Sequence, residues 1–360
     1  MKTLTKKEID YLVIGASILG TGGGGDPKAG LHILSNDIEK GRRFDILSWS
    51  EVPDNALIVC PYSCGSIAPS SKRIKPKSFE DSLCVAFQTL EKKLGRKAFA
   101  TVATELGGLN TAASLHVAAV MNLPALDGDY LGRAAPELIQ SSANIFGVSV
   151  FPAAVASEDG TVMIIEKCCD LNRYEKIVRH LSVLAGSPVA VVDTPVDGIA
   201  AKRTVVRNTL SKCIKVGKTV RDANFAGKDP IHALIECLNG TLLFKGEVQR
   251  YDWENREGFL YGEVTYDGMN DYIGHELRIW IKNENIIAWK DGQMVATTPD
   301  LICVVNEKGY AITNTELKKG MTAAVIGVKA PDVWFTSKGM EIFGPKHFGF
   351  DCSYAPIKAT

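Results

Sequence analysis

The chain has 360 residues, 46% of them hydrophobic, with 41 basic and 41 acidic side chains and a formal net charge of zero. That length suggests two or three domains, and the apolar fraction is ample for a core. Zero net charge gives no footprint for nucleic acid, no apolar run reaches membrane-span length, and nine irregularly spaced cysteines argue against a secreted disulfide framework. With acidic Glu8 and Asp10 so early, the N-terminus does not read as a targeting peptide, so the cytoplasm is the expected location.

The first predicted element is a helix over 5–19. Thr5-Lys-Lys-Glu8 matches a capping box, and Ile9, Leu12, Val13, Ala16 and Leu19 recur at helical spacing. The run GTGGGGDP (20–27) follows. Its glycines Gly22, Gly23, Gly24 and Gly25 allow positive φ and leave the backbone bare, and Asp26 and Pro27 read as N-cap and first residue of a second helix, 27–41. A bare loop feeding a helix start suits an anion or a polar ring. It is neither a dinucleotide fingerprint nor a P-loop, because both need a preceding strand, so no nucleotide cofactor is expected. The structural alternative is a corner whose glycines serve shape alone. His32 in the second helix has no catalytic company and reads as structural.

Strands are predicted at 56–60 and 97–103 and briefly at 124–126, with helices from Ser78 and over 111–123. This alternation implies a largely parallel sheet with helices on its faces, an α/β domain over 1–168. Ligands of such sheets bind beyond the carboxyl ends of the strands. The loops expected there carry Cys60, Ser63 and Cys64, then Glu105 and Asn110, then Asp127, Asp129, Arg133 and Glu137. Further strand is predicted over 151–166, a helix over 172–185 and a long helix over 202–220. From Gly240 short β-rich runs alternate with hairpin signals at 266–268, 283–285 and 290–292, so 169–360 reads as a β-rich domain, a barrel or a compact sandwich, with a helical lead-in.

Glu105, Asp127 and Asp129 are candidate acids and bases, or ligands of a divalent metal should they converge. Asp-Gly-Asp is equally ordinary turn chemistry. Arg133 is a candidate for binding developing negative charge, its structural alternative being an ion pair with Glu137 four residues on. Cys64 lies in a Gly/Ser loop without a partner histidine, which favours a structural thiol, while Cys60 and Cys64 lack Cys-x-x-Cys spacing.

The segments GTGGGGDP (20–27), ELGGLN (105–110), LDGDYLGRAAPE (126–137), FPAAVASEDG (151–160), TPDLICVV (298–305) and GPKHFGFD (344–351) resemble, in order, the DUF917 family, also called the S-methylthiohydantoin desulfurase family. The resemblance implies a three-layer N-terminal domain, a β-barrel C-terminal domain and a role in thiohydantoin breakdown beside hydantoinase- and oxoprolinase-type enzymes. Positions matching its motifs are Gly22 to Asp26, Glu105, Asn110, Asp127, Asp129, Arg133 and Glu137. A departure is the cysteine-bearing 61–66 loop, where the family pattern has a Gly- and Pro-containing loop. The expected function is hydrolysis of a small cyclic amide-like ring. Glu105, Asp127, Asp129 and Arg133 are the expected catalytic residues, with Gly22–Gly25, Asp26, Asn110, Glu137 and Cys64 around the substrate. The rival is a non-catalytic ligand-binding subunit. Beyond a small molecule, the expected partners are a second copy of the chain or hydantoinase-like proteins. Should the carboxylate loops not hold the site, the segment around His347 is the next candidate.

Overall fold

The computed structural model describes residues 1–66 and 78–357. After a short strand β1 (Lys2–Thr3), helix α1 (Lys6–Leu19) starts at the expected capping box: Thr5 accepts from the Glu8 amide, and the Glu8 carboxylate answers the Thr5 amide at 2.9 Å. The glycine loop then leads into α2 (Pro27–Glu39), with Asp26 as N-cap and Pro27 at the first position. No strand runs into Gly20.

Next come β2 (Asp45–Leu47), β3 (Ile58–Cys64), α3 (Phe79–Leu94), β4 (Ala100–Ala103), α4 (Asn110–Val120) and β5 (Ala125–Asp129). They are followed by α5 (Ser142–Ile145), β6 (Ala153–Ala156), β7 (Val162–Ile165), α6 (Leu171–Ala185), β8 (Val189–Val196), α7 (Gly198–Thr204), β9 (Val206–Arg207), α8 (Thr209–Phe225) and α9 (Pro230–Leu238). The first sheet has the order β1-β2-β5-β4-β3-β8-β6-β7, with β9 on β5. Its β2, β5, β4 and β3 are parallel neighbours, whereas β1, β8, β6, β7 and β9 join antiparallel, so the sheet is mixed rather than largely parallel. Successive side chains point to opposite faces. Val189 and Val191 of β8 join a core with α1, α6 and α8, and Ala190 and Val192 join a second one with α3. The result is three layers.

Three local expectations change. The strand from 56 does not stop at Pro61 but runs to Cys64. The missing amide of Pro61 costs no ladder bond: Ser63, two residues on and facing the same side, donates to Asn110 Oδ1 rather than to a strand. The helix expected over 202–220 is broken, because Val206 and Arg207 pair with Asp129 and Gly128 and Asn208 turns in the left-handed region at φ 61°. Nor does the first sheet end near 168, since β8 lies at its centre, between β3 and β6.

The second sheet comprises β10 (Thr241–Arg256), β11 (Phe259–Gly268), β12 (Glu276–Lys282), β13 (Glu284–Lys290), β14 (Gln293–Thr297), β15 (Leu301–Val305) and β16 (Thr322–Val328), and α10 (Ser337–Phe343) follows. It is wholly antiparallel, ordered β14-β13-β12-β11-β10-β16-β15, and curls into a half-barrel around Val248, Val264, Leu277, Ile279 and Ile281. Strands β15 and β16 lock it to the first unit. Ile302, Val304 and Val325 face the barrel core, while Leu301, Cys303, Ile326 and Val328 face the core shared with α1 and α8. Among the described residues no helix is long and apolar enough to cross a membrane.

Candidate active site

A cavity of about 830 Å³ lies beyond the carboxyl ends of β3, β4 and β5. Its wall includes Cys64 at the end of β3 with Gly65 after it, Thr104 and Glu105 after β4, Tyr130 and Leu131 after β5, the glycine loop, and Asn283 between β12 and β13 with Glu284 at the start of β13. Parallel strands end here because their connections run back over the sheet faces, which leaves polar loop groups at this edge.

The glycine loop is interlocked rather than merely bare. Gly24 has φ 72°, and a Cβ on it would lie 2.5 Å from the Gly107 Cα, so the 22–25 and 106–109 loops pack backbone to backbone. A Cβ on Gly23 would lie 1.9 Å from Glu284 Oε1. The Gly24 carbonyl accepts from the amides of Leu109 and Asn110 at 3.1 and 3.2 Å, and its own amide donates to Glu284 Oε1 at 3.2 Å. Asn110 Nδ2 in turn donates to Glu105 Oε1 at 2.6 Å. Two carboxylates from opposite ends of the chain are thus joined through Gly24 and Asn110.

Both are buried, Glu105 7% and Glu284 2% exposed, and both line the cavity. Burial raises Glu105 from the ordinary 4.5 to about 7, against the amide of Ala135 at 2.9 Å, Asn110 and more distant arginines. Burial, reinforced by the charge of Glu105, pushes Glu284 well above the carboxylate range. Its Oε2 has no partner among the described residues. The pair therefore offers two carboxyls that favour their protons more than ordinary carboxylates do, with Glu105 close to its midpoint near neutral pH.

The other expected acids do not join them. Asp127 faces α8, where its carboxylate takes the Ser211 amide at 2.9 Å and the Ser211 hydroxyl at 2.5 Å. Asp129 is fully buried, and its Oδ2 holds the turn after β5 through the amides of Leu131 and Gly132, at 2.8 and 2.7 Å. Burial raises it to about 7, but it does not line the cavity. Glu105, Asp127 and Asp129 thus do not converge, and among the described residues no three His, Cys, Asp or Glu side chains are grouped to hold a metal ion.

Arg133 is not available to a substrate either. All five of its N–H donors are taken: Nε by the Ala134 carbonyl, Nη1 by those of Pro299 and Asp300, Nη2 by Thr21 Oγ1 and the Asn285 carbonyl. It is fully buried and pins the glycine loop to the second sheet, and burial lowers it to about 10. Nor does it pair with Glu137. That carboxylate lines the cavity but is held by Lys282 and His347, which outweigh burial and bring it down to about 2.

Gly22 to Asp26, Asn110 and Cys64 do line the cavity, as does His32. Burial pushes the Cys64 thiol up to about 12, so it stays protonated. Gly25 and Ala29 stand at the start of α2, and their amides have no partner among the described residues. Farther along the wall Asp193 accepts from Tyr62 at 2.7 Å, Tyr174 at 2.9 Å and Thr194 at 2.9 Å, and burial lifts it to about 6. Thr194 sits at φ 49°, an unusual position for a β-branched residue. Arg179 also lines the wall, paired to Glu175 at 2.9 Å and stacked 3.6 Å from the Phe259 ring. Sequence reasoning missed Glu284, Asp193 and Arg179. The first lay in a segment marked only as a hairpin, and the other two beyond the expected domain boundary.

Two family models match. The S-Me-THD-like N-terminal domain covers residues 7–167 and the S-Me-THD-like C-terminal domain covers 169–357. The crystal structure of a protein from Chromobacterium violaceum is similar over 99% of this chain and 100% of its own, at 23% identity with a TM-score of 0.82. At that identity the likeness shows the fold alone. No curated protein matches the chain.

Proposed function

This chain belongs to the S-Me-THD-like family, and from that membership together with the Glu105–Glu284 pair we propose that it is a hydrolase of a small cyclic amide-like ring, removing sulfur from an S-alkyl thiohydantoin or acting on a related hydantoin. The observation that carries the proposal is two buried, cavity-lining carboxyls with raised pKa values, joined through the glycine loop.

Replacing sulfur by oxygen requires water at the ring carbon that bears sulfur, then collapse of the tetrahedral adduct with cleavage of the C–S bond. Glu105, about half ionised near pH 7, takes the proton of the attacking water. Glu284, whose proton burial favours, gives it to the departing sulfur, so a neutral thiol leaves; the second proton of the water passes to the ring nitrogen as the ring carbon becomes a carbonyl. Negative charge on the adduct meets the amides of Gly25 and Ala29 and the start of α2. This replaces the role first expected of Arg133.

The test is release of a small thiol from S-methylthiohydantoins by the purified chain, with hydantoins assayed in parallel. Glu105→Gln and Glu284→Gln should each lower turnover by roughly 10²–10⁴ while circular dichroism stays unchanged. Binding by calorimetry without turnover on any ring would overturn the hydrolase reading in favour of a ligand-binding subunit.

A further inference from the structure

Away from the cavity wall, α2, α3 and α4 bring three chemically matched side chains together. His116 on α4 is 4% exposed, and its Nδ1 lies 2.7 Å from Asp37 Oδ2 on α2. Its other nitrogen, Nε2, lies 3.8 Å from the Sγ of Cys84 on α3. Asp37 is itself fixed from behind, its Oδ1 taking Arg42 Nη1 at 2.5 Å. The order carboxylate, imidazole, thiol is that of an activated nucleophile, in which the acid orients the ring and the ring governs the proton on sulfur. We propose that Cys84 is a modification site, a thiol activated by His116 and oxidised by small hydroperoxides.

Each part contributes separately. Asp37 accepts from Nδ1–H, which leaves Nε2 directed at sulfur. The titratable groups acting on the ring are Asp37 and Cys84, with Arg42 behind the carboxylate. Burial opposes the imidazolium, but Asp37 and Cys84 outweigh it and raise His116 to about 9, so near neutral pH the ring keeps a proton on Nε2, facing the sulfur. Cys84 is half-buried, whereas Cys60, Cys64, Cys213 and Cys303 are buried and burial raises each of their thiols. Access on that scale suits hydrogen peroxide or a small alkyl hydroperoxide. The sulfur attacks the outer peroxide oxygen, an S–O bond forms and the O–O bond breaks. The leaving alkoxide or hydroxide takes the Nε2 proton of His116 and departs as alcohol or water. Sulfur is oxidised by two electrons to sulfenic acid as the peroxide is reduced.

The experiment uses the full chain. It is treated with substoichiometric hydrogen peroxide in the presence of dimedone, and the cysteines are compared by peptide mass spectrometry. Cys84 should be labelled at least tenfold more than the exposed Cys169. An ordinary thiol is only about 1% ionised at pH 6.5, and there iodoacetamide should alkylate Cys84 at least tenfold faster than free glutathione. His116→Gln should abolish both advantages with circular dichroism unchanged, and Cys84→Ser should remove the labelled peptide. Cys84 lagging behind Cys169, or reacting no faster than glutathione, would overturn the proposal. Both comparisons are made on the unmodified chain and hold whether or not the His116 variant folds.

Discussion

Replacing Glu105 by Gln tests the environment of this carboxyl through stability, independently of any substrate. The folded-state pKa is raised from 4.5 to about 7. A carboxyl raised on folding contributes stability that is fully present below its unfolded pKa and lost as pH rises through its folded one. At about 1.36 kcal/mol per unit, that is about 2–3 kcal/mol lost between pH 5 and pH 8. A glutamine side chain does not titrate, so the variant lacks this slope. It carries a constant cost instead. Glu105 accepts from Asn110 Nδ2 at 2.6 Å and from the Ala135 amide at 2.9 Å, whereas a Gln amide offers one acceptor and sets a donor against the other. That costs about 1–3 kcal/mol at every pH. The informative quantity is therefore the difference between the variant's deficit at pH 5 and at pH 8, measured by urea unfolding. The deficit should shrink by about 2–3 kcal/mol towards pH 8. Parallel pH profiles for the two proteins would refute the raised pKa and remove Glu105 as a base working near neutrality.

Arg133→Met leaves four carbonyls and the Thr21 hydroxyl without their donor, and should cost about 3–5 kcal/mol in urea unfolding. Turnover per folded molecule should stay within tenfold, and a collapse of kcat at unchanged stability would return Arg133 to the reaction. Asp127→Asn loosens the hold on Ser211 at the start of α8, lowering stability by about 0.5–2 kcal/mol with kcat unchanged, as thermal unfolding and steady-state kinetics will show. Gly24→Ala combines a positive φ with a contact on the Gly107 backbone and should cost about 2–4 kcal/mol, checked by the urea midpoint.

What the sequence made legible follows the range of the forces involved. The capping box at Thr5, the Asp26-Pro27 helix start and the hairpin texture after Gly240 are local, and the structure keeps all three. Where a distant partner decides, the local reading fails: Val206 and Arg207 sit in a helical pattern, yet Gly128 and Asp129, the end of β5 that β2 does not pair, draw them into a strand. The same division runs through the site. Strand-end topology brought Glu105, Asn110 and the glycine loop to one cavity, because that rule depends on the order of elements alone. It could not separate Asp127 from Asp129, or either from Glu105, because which way a residue at a strand end faces depends on pleat and register. Arg133 was conspicuous for the right reason, a cation next to glycine, and misread because acceptors from three distant segments saturate it. Glu284 is the sharpest case. A charged residue between two asparagines reads as a solvated turn, and no periodicity marks it. Only the absence of a side chain at Gly23 leaves room for its carboxyl, and the Gly24 amide binds it, so the glycine loop, legible from the start, was the imprint of a partner 260 residues away.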